Sequence, residues 1–513
     1  MHEAEQQSIL RRTIANDLVS LGFLNHSEAI ASWDIWPNRD CDVAVRVTGP
    51  VRVTTDTDES STSLVGEVEA VGQYLNIRLR LASLIELVGS VSFGLQPTES
   101  AAMPAAIEHT SLTPAYPINL ATFRSTAIGV ALGGLLRNRG YDPKSYFWVE
   151  DEAAQMRLLH EVASYLRRKG MPTDLPHGKP DHVLGRLLVQ ARYAMRGATA
   201  DDEILSRMFP EAIGPPSDSL DGFSVTDPYA TSEAVREGSK LLAAKCLSGF
   251  SDTFESTGVA APEYVLGSVE LQGERLVRAW DWQRSHERAS AAGPAYITES
   301  GGPSYLIRNV AWFDWLMERA DSVIVVVPAR QEAVVERAVE IVRHGAGERV
   351  PIVHVPFGDV LNEDGKLDRP SAGRFTSVDE FLVHESERLG WSTLEVAASL
   401  RLFLLARSPR NQIVLGDRNH MHDTARAIHR LTTGDEEGDD SERMRRVCKR
   451  LLDLGHAIHV ATERLDPSLI VREVDALARD AAIGCLPSVR GCARDAVREL
   501  LELLGFRKGS VSG

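Results

Sequence analysis

The spacing of hydrophobic and polar positions divides the chain into three regions. Residues 1–97 begin with a polar helical pattern. Alternating segments follow at Val43–Val47 and Tyr74–Leu81, as half-buried strands require. The Ser/Thr/Asp/Glu-rich stretch Thr54–Thr62 between them reads as a surface loop, so this region is expected to be a small α+β domain. From 98 to 405 short strands alternate with amphipathic helices. Ile128, Ala131, Leu132, Leu135 and Leu136 follow helical spacing within Arg124–Arg139, and Gly140 fits as the terminator. Ser145–Val149 reads as a strand and Glu152–Arg168 as a helix. Ser322–Val327 is a continuous apolar run, the mark of a strand covered on both faces. The helix Gln331–Arg343 and a second run, Ile352–Val355, come next. Such strand–helix–strand units predict a parallel, doubly wound α/β sheet, with a helical insertion near 155–260. Over 406–513 strand signals vanish and helical patterns dominate, broken by the acidic tract 434–440, which reads as a solvated loop. No internal repeat is present.

Composition narrows the class. A hydrophobic share of 43% and a charged share of 25% are ordinary for globular chains and exclude global disorder and fibrous architecture. The net charge of −16 argues against a general nucleic-acid coat protein. Charge is uneven, however: residues 441–513 carry 13 Lys/Arg against 10 Asp/Glu, leaving −19 on the preceding 440. A mildly basic helical tail suits contact with a polyanion, and equally suits a bundle with ordinary solvated faces. Five scattered cysteines without a Cys-x-x-Cys pair read as reduced intracellular thiols. The polar Met1–Leu10 and the lack of any long apolar run predict a cytoplasmic protein that does not engage a membrane.

The segment from Glu108 to Asp142 carries a family resemblance. Glu108-His-Thr-Ser-Leu-Thr113 leads through Pro117 and Asn119 to Arg124-Ser-Thr126 and ends on Gly140-Tyr-Asp142. It resembles the signature region of arginyl-tRNA synthetases, class I enzymes in which a Glu-Phe-Ser-Ser-Pro-Asn-like strand precedes Pro-x-His-x-Gly-His and an Arg-Ser-Thr helix. Collinear segments extend the likeness. They include Val68–Leu79, Tyr146–Gln155, Ser304–Ala311, Ser371–Phe381 (similar to the tail of a Lys-Met-Ser-Lys loop), Leu402–Pro409, Ile428–Leu431 and Asp466–Arg472. The resemblance implies a Rossmann-like class I catalytic domain over 98–405, an additional N-terminal domain and an all-α anticodon-binding-like bundle. It also implies ATP with Mg as cofactor of an active enzyme, arginine or an analogue as substrate, and tRNA bound through the C-terminal helices.

That implied chemistry activates a carboxylate with ATP and passes the acyl group to tRNA. Positioning and electrostatic stabilisation carry it. The family's two histidine positions hold Asn119 and Thr122, and its glycine position holds Ala121. Asn and Thr donate hydrogen bonds but carry no charge. At the lysine loop the alignment places Leu367, Asp368, Arg369 and Pro370, leaving Lys366 and Arg369 as nearby cations. In the implied amino-acid pocket Glu108, Tyr305 and Gln331 match, while Asn309 replaces an aspartate and Thr113 an asparagine. Losing one buried negative partner of a guanidinium costs about 2–5 kcal/mol. The expectation is therefore a paralogue with lost or altered arginine activation, a pseudoenzyme that keeps tRNA or partner binding. The alternatives are an active arginine–tRNA ligase with an unusual site and a repurposed amino-acid ligase acting on a small molecule.

Several other residues attract attention. Arg124 reads either as facing a phosphate or carboxylate or as a surface residue. His420 and His422 form a His-x-His pair without a clear third ligand, so no metal site is expected. Trp312, Phe313 and Trp315 read as helix core, and Gly133-Gly134 as a site of close helix packing.

Overall fold

The computed structural model describes residues 8–25, 30–36, 41–48, 63–91, 102–110, 112–170, 178–198, 233–290, 304–367, 376–416, 421–434 and 440–507, with positions 201, 205, 206, 209, 220 and 223. The Thr54–Thr62 loop, most of the acidic tract, Asp368, Arg369, Pro370 and His420 lie outside the described residues. In chain order the first elements are α1 (Ile9–Ser20), β1 (Ile30–Asp34), β2 (Val43–Val47), β3 (Val65–Val71), β4 (Tyr74–Leu79) and α2 (Leu81–Ser90). Then come β5 (Met103–Glu108), α3 (Leu120–Asn138), β6 (Tyr141–Val149), α4 (Ala154–Arg168), α5 (Pro180–Ala194), α6 (Glu233–Ser256) and β7 (Glu263–Leu266). They are followed by α7 (Glu274–Ser290), α8 (Tyr305–Met317), β8 (Ser322–Pro328), α9 (Glu332–Ala346), β9 (Ile352–Phe357) and β10 (Val360–Leu361). The last are α10 (Val378–Leu389), α11 (Thr393–Leu405), β11 (Ile413–Val414), α12 (Asp423–Thr433), α13 (Ser441–Glu463), α14 (Ser468–Ala481) and α15 (Pro487–Leu503).

These elements form two compact units. Described residues within Met1–Gln96 and Asp423–Leu503 make one, and those within Pro97–His422 with Leu504–Ser510 make the other. The second unit runs on to His422: β11 pairs with β10, Arg124 reaches the carbonyls of Ser408 and Asn411, and His422 contacts Ser399.

In the first unit an antiparallel sheet has the order β1-β2-β4-β3, and α1 and α2 pack on the C-terminal helix α13, α2 also on α15. Ser8 caps α1, Arg11 pairs with Asp453 of α13 at 3.1 Å, and Arg445 reaches Asp42 at 3.0 Å. Lys449 donates to the Asp42 carbonyl, and its ammonium lies 4.4 Å from the Trp36 ring centroid. Arg446 and Arg450 pair with Asp480 and Glu473. Most of the basic surplus on α13 is therefore committed within the unit, while Arg430, Arg464 and Arg472 are exposed.

The second unit is the α/β one. Its sheet has the order β7-β6-β5-β8-β9 with every neighbour parallel, as the alternating pattern predicts. Two details depart from expectation. The helix after β5 is buried on nearly all sides from Leu120 to Leu136 instead of along one stripe, because Ser125, Thr126, Gly129, Gly133 and Gly134 let neighbouring elements approach closely. A strand also exists beyond 405: β11 pairs in parallel with β10. Each contributes only two residues, too few for a period to register. Trp312, Phe313 and Trp315 are core, with Trp312 stacked between Trp148 and Trp315. No described helix is long and apolar enough to cross a membrane.

Candidate functional site

In an open parallel sheet, ligands sit beyond the carboxyl ends of the strands where the strand order reverses. Here that point lies between β5 and β8, and a cleft of about 230 Å³ opens there. Its walls come from Thr110 and Leu112 after β5, from Asn119 to Thr122 and Ser125 at the start of α3, and from Val326, Pro328, Arg330 and Gln331 at the end of β8. Phe357, Val360, Leu367 and Leu415 add an apolar side.

Ser125 ties the two strands together. Its hydroxyl donates to the Val326 carbonyl at 2.9 Å and accepts from the Thr110 amide at 3.2 Å. Thr110 has φ 69, the left-handed region that a β-branched residue adopts only under constraint. Its Oγ1 lies 2.6 Å from His109 Nδ1 and 2.7 Å from Thr126 Oγ1, which hold it there. His109 is fully buried, and burial lowers its pKa to about 4, so the ring is neutral. It fits beneath α3 only because residue 129 is glycine: a Cβ there would lie 2.3 Å from the imidazole.

Asn119 is the N-cap of α3, and its side-chain oxygen accepts from the Thr122 amide at 2.8 Å. It also pairs with Ser377, the N-cap of α10. Arg124 fits neither of its two readings. It is buried and donates to the carbonyls of Gly358 (2.6 Å), Asn411 (2.7 Å) and Ser408 (3.3 Å), gathering the loops around β10 and β11. Burial lowers its pKa to about 10, against the pull of Asp359.

A second group of expected site residues lies beside this cleft. Tyr305 donates to Gln331 Oε1 at 3.3 Å and stacks on Trp148. Its hydroxyl is pushed up to about 12 by burial and by the neighbouring Glu108 charge. Glu108, at the end of β5, is buried. Asn309 turns its amide into its own helix, donating to the Tyr305 carbonyl at 2.8 Å. Arg308 pairs with Glu150 at 3.4 Å, and burial raises the Glu150 carboxyl although Arg308 opposes it. The structure thus places Asn119, Ala121, Thr122 and Gln331 around the cleft, with Glu108, Tyr305 and Asn309 adjoining through Gln331. Thr113 is half-buried and does not line the cleft; its carbonyl accepts from Ala115. Lys366 is exposed beside Asp364 at 4.0 Å, away from the cleft wall, whereas Leu367 reaches it.

One buried cluster escaped the sequence reading. Lys179 and His182 at the start of α5 approach Asp379 of α10 at 2.6 and 2.9 Å, with Asp181 3.6 Å from the ammonium. Thr253 of α6 adds a hydroxyl 3.2 Å from Asp379. Asp181, His182 and Asp379 have the spacing of metal ligands, but the Lys179 ammonium already supplies the positive charge there. The only sequence signal is the run Lys179-Pro-Asp-His182 before an apolar helix. Likewise His422 serves a buried network, contacting Ser399 at 2.8 Å and Glu385 at 3.3 Å.

The cluster has a pH signature. Burial raises Asp181 from 3.8 to about 6, outweighing Lys179, so the folded chain holds a proton that the unfolded chain releases. Asp181 therefore costs stability as pH rises from about 4 to 6, and the cost, about 3 kcal/mol, is complete above 6. Asp181→Asn should raise the melting temperature at pH 7 and leave it unchanged near pH 4. An equal effect at both pH values would disprove a titrating Asp181.

Comparison with known proteins places these observations in context. No protein-family profile matches the chain. It is similar to arginine–tRNA ligases of Methanococcoides burtonii (24% identity over 367 residues, 66% of this chain and 58% of that one) and Methanopyrus kandleri (24% over 325 residues, 59% and 50%). A shorter match, 33% identical over 125 residues, links it to the Saccharolobus solfataricus arginine–tRNA ligase (24% of this chain and 19% of that one). The matched region spans between half and three fifths of the first two relatives' lengths. In structure it resembles Thermus thermophilus arginyl-tRNA synthetase, with TM-score 0.64 at 17% identity, covering 98% of this chain and 99% of that one. It also resembles the Plasmodium falciparum arginyl-tRNA synthetase, with TM-score 0.59 at 12% identity, covering 87% and 86%. At these identities the structural likeness speaks for the fold.

Proposed function

We propose, from the premise that this chain is a relative of the arginyl-tRNA synthetases, that it is a paralogue whose ATP-dependent activation of arginine is lost or altered and which retains recognition of tRNA and of a nucleotide. The observation that carries this reading is the start of α3. Where the resemblance places charged histidines, Asn119 commits its side-chain oxygen to capping its own helix, and Thr122 is neutral. Both can still donate a hydrogen bond, but neither brings a positive charge to the oxygens on which charge develops as pyrophosphate leaves. The cleft otherwise keeps the makings of a nucleotide site: an apolar side formed by Phe357, Val360 and Leu415, and hydroxyl and amide groups opposite. No carboxylate lines it among the described residues, so Mg would be carried by the nucleotide's phosphates and by water.

The amino-acid group supports altered recognition. Glu108, Tyr305 and Gln331 supply one carboxylate and two neutral hydrogen-bonding groups. The amide of Asn309 points into its own helix turn, where an aspartate would have offered a second negative charge. For tRNA, Arg430, Arg464 and Arg472 are among the exposed side chains of the C-terminal helical region that phosphates could meet, a contact that supplies affinity without naming the RNA. One observation favours an active arginine–tRNA ligase instead: the structural likeness extends over nearly the whole of both chains.

ATP–pyrophosphate exchange with each standard amino acid, with and without total tRNA, decides between them. The expected result is no exchange with arginine above background, alongside tRNA binding in a filter assay. Exchange with arginine alone would establish an ordinary ligase. Exchange with a different amino acid would establish a repurposed one.

A further inference from the structure

We propose that Arg330, steered by Asp359, is the cation that receives the phosphates of a nucleotide bound in the cleft between β5 and β8; this rests on the nucleotide reading given above. Arg330 is the one charged side chain among the described residues of the cleft wall. It stands at the carboxyl end of β8, in the single turn Ala329–Gln331, with its guanidinium about half exposed at the rim. The start of α3 faces the same space and contributes the partial positive charge of a helix N-terminus.

Local charge balance supports the assignment. Asp359 is the ion-pair partner of Arg330, and it also lies in the field of the buried Arg124. Arg124 spends its hydrogen bonds on three neutral carbonyls. Two guanidinium charges thus face one carboxylate at this corner of the cleft. Beside them Arg410 pairs with Glu332, and Lys366 with Asp364.

Asp359 is also held firmly. The preceding Gly358 amide donates to the Pro409 carbonyl, the Gly358 carbonyl accepts from Arg124, and the Asp359 carbonyl accepts from the Ile413 amide. A carboxylate fixed in this way restricts the long Arg330 side chain to the rim without burying it. An anion entering the cleft then meets a guanidinium already in place, whose planar fork suits phosphate oxygens.

The experiment is calorimetric titration of the intact chain with ATP and, separately, with adenosine, using wild type, Arg330→Gln and Asp359→Asn. Arg330→Gln should weaken ATP about tenfold and leave adenosine unchanged, and the difference should shrink as salt is raised. Asp359→Asn should weaken ATP by less than Arg330→Gln does, since the loss of a competing negative charge offsets part of the lost steering. If the ion pair is merely structural, the two variants weaken ATP alike, and the proposal falls. It also falls if Arg330→Gln weakens ATP and adenosine equally. Wild type that binds neither ligand would instead refute the nucleotide reading itself.

Discussion

Replacing Asp379 with alanine is expected to lower folding stability by about 3–5 kcal/mol, the cost of stranding a buried charge. Lys179 and Asp379 have side chains only 5% and 7% exposed, and the carboxylate also serves His182 and Thr253. Burial pulls the Asp379 carboxyl up, but the His182 hydrogen bond and the Lys179 charge outweigh it and hold the group below its ordinary range. Its contribution is therefore present above the unfolded value near 3.8 and is lost as pH falls through the lower folded one. Urea unfolding of the intact chain, followed by the fluorescence of the Trp148–Trp312–Trp315 stack, measures the loss. The triple replacement Lys179→Met, Asp181→Asn and Asp379→Leu should recover most of it, because no buried charge is then left unpaired. A loss below about 1 kcal/mol for the alanine variant would mean that the ion pair contributes little net stability. Asp379 lies two residues beyond Ser377, which pairs with Asn119, so the variant should also loosen the start of α10 against the cleft.

The second large effect concerns Gly129. A methyl group there would meet the Cδ2, Cγ and Cβ atoms of His109 at 2.3–2.7 Å, and these belong to a side chain pinned at Thr110 rather than to the free end of a flexible one. Gly129→Ala should cost about 1–3 kcal/mol by overpacking. It should also weaken any ligand of the cleft, because His109 and the constrained Thr110 must move together. Adding His109→Ala should restore stability, and the coupling between the two changes should exceed about 0.5 kcal/mol in a double-mutant cycle. Additive losses would show that the contact does not limit packing.

Much of both units was legible in the sequence because the signals are local. The apolar run at Ser322–Val327 became β8, and the alternation at Val43–Val47 became β2 with the same ends. What eluded the sequence depends on partners far along the chain. Arg124 shows nothing in its own helix to indicate that residues 358, 408 and 411 will close over it. Lys179 and Asp379 are 200 residues apart, and the β10–β11 pair joins two residues to two across more than fifty. The site was half legible for the same reason. Residue types brought Asn119, Thr122, Tyr305 and Gln331 to attention, yet only the fold could show that Asn119 is spent on a helix cap and that Arg330 stands at the rim.

The composite first unit has a consequence for how the chain matures. Residues up to 96 are made first, but the helices α12 to α15 that complete their interior are made last. At about 5–20 residues per second on the ribosome, the N-terminal sheet and α2 wait about 20–80 s for α13, with the surface destined for it still open to water. The α/β unit, apart from its closing segment Leu504–Ser510, is contiguous and can fold during that interval. The N-terminal region is therefore the part most exposed to chaperones and to aggregation during synthesis, and its hold on the nascent chain ends only when the last helices emerge.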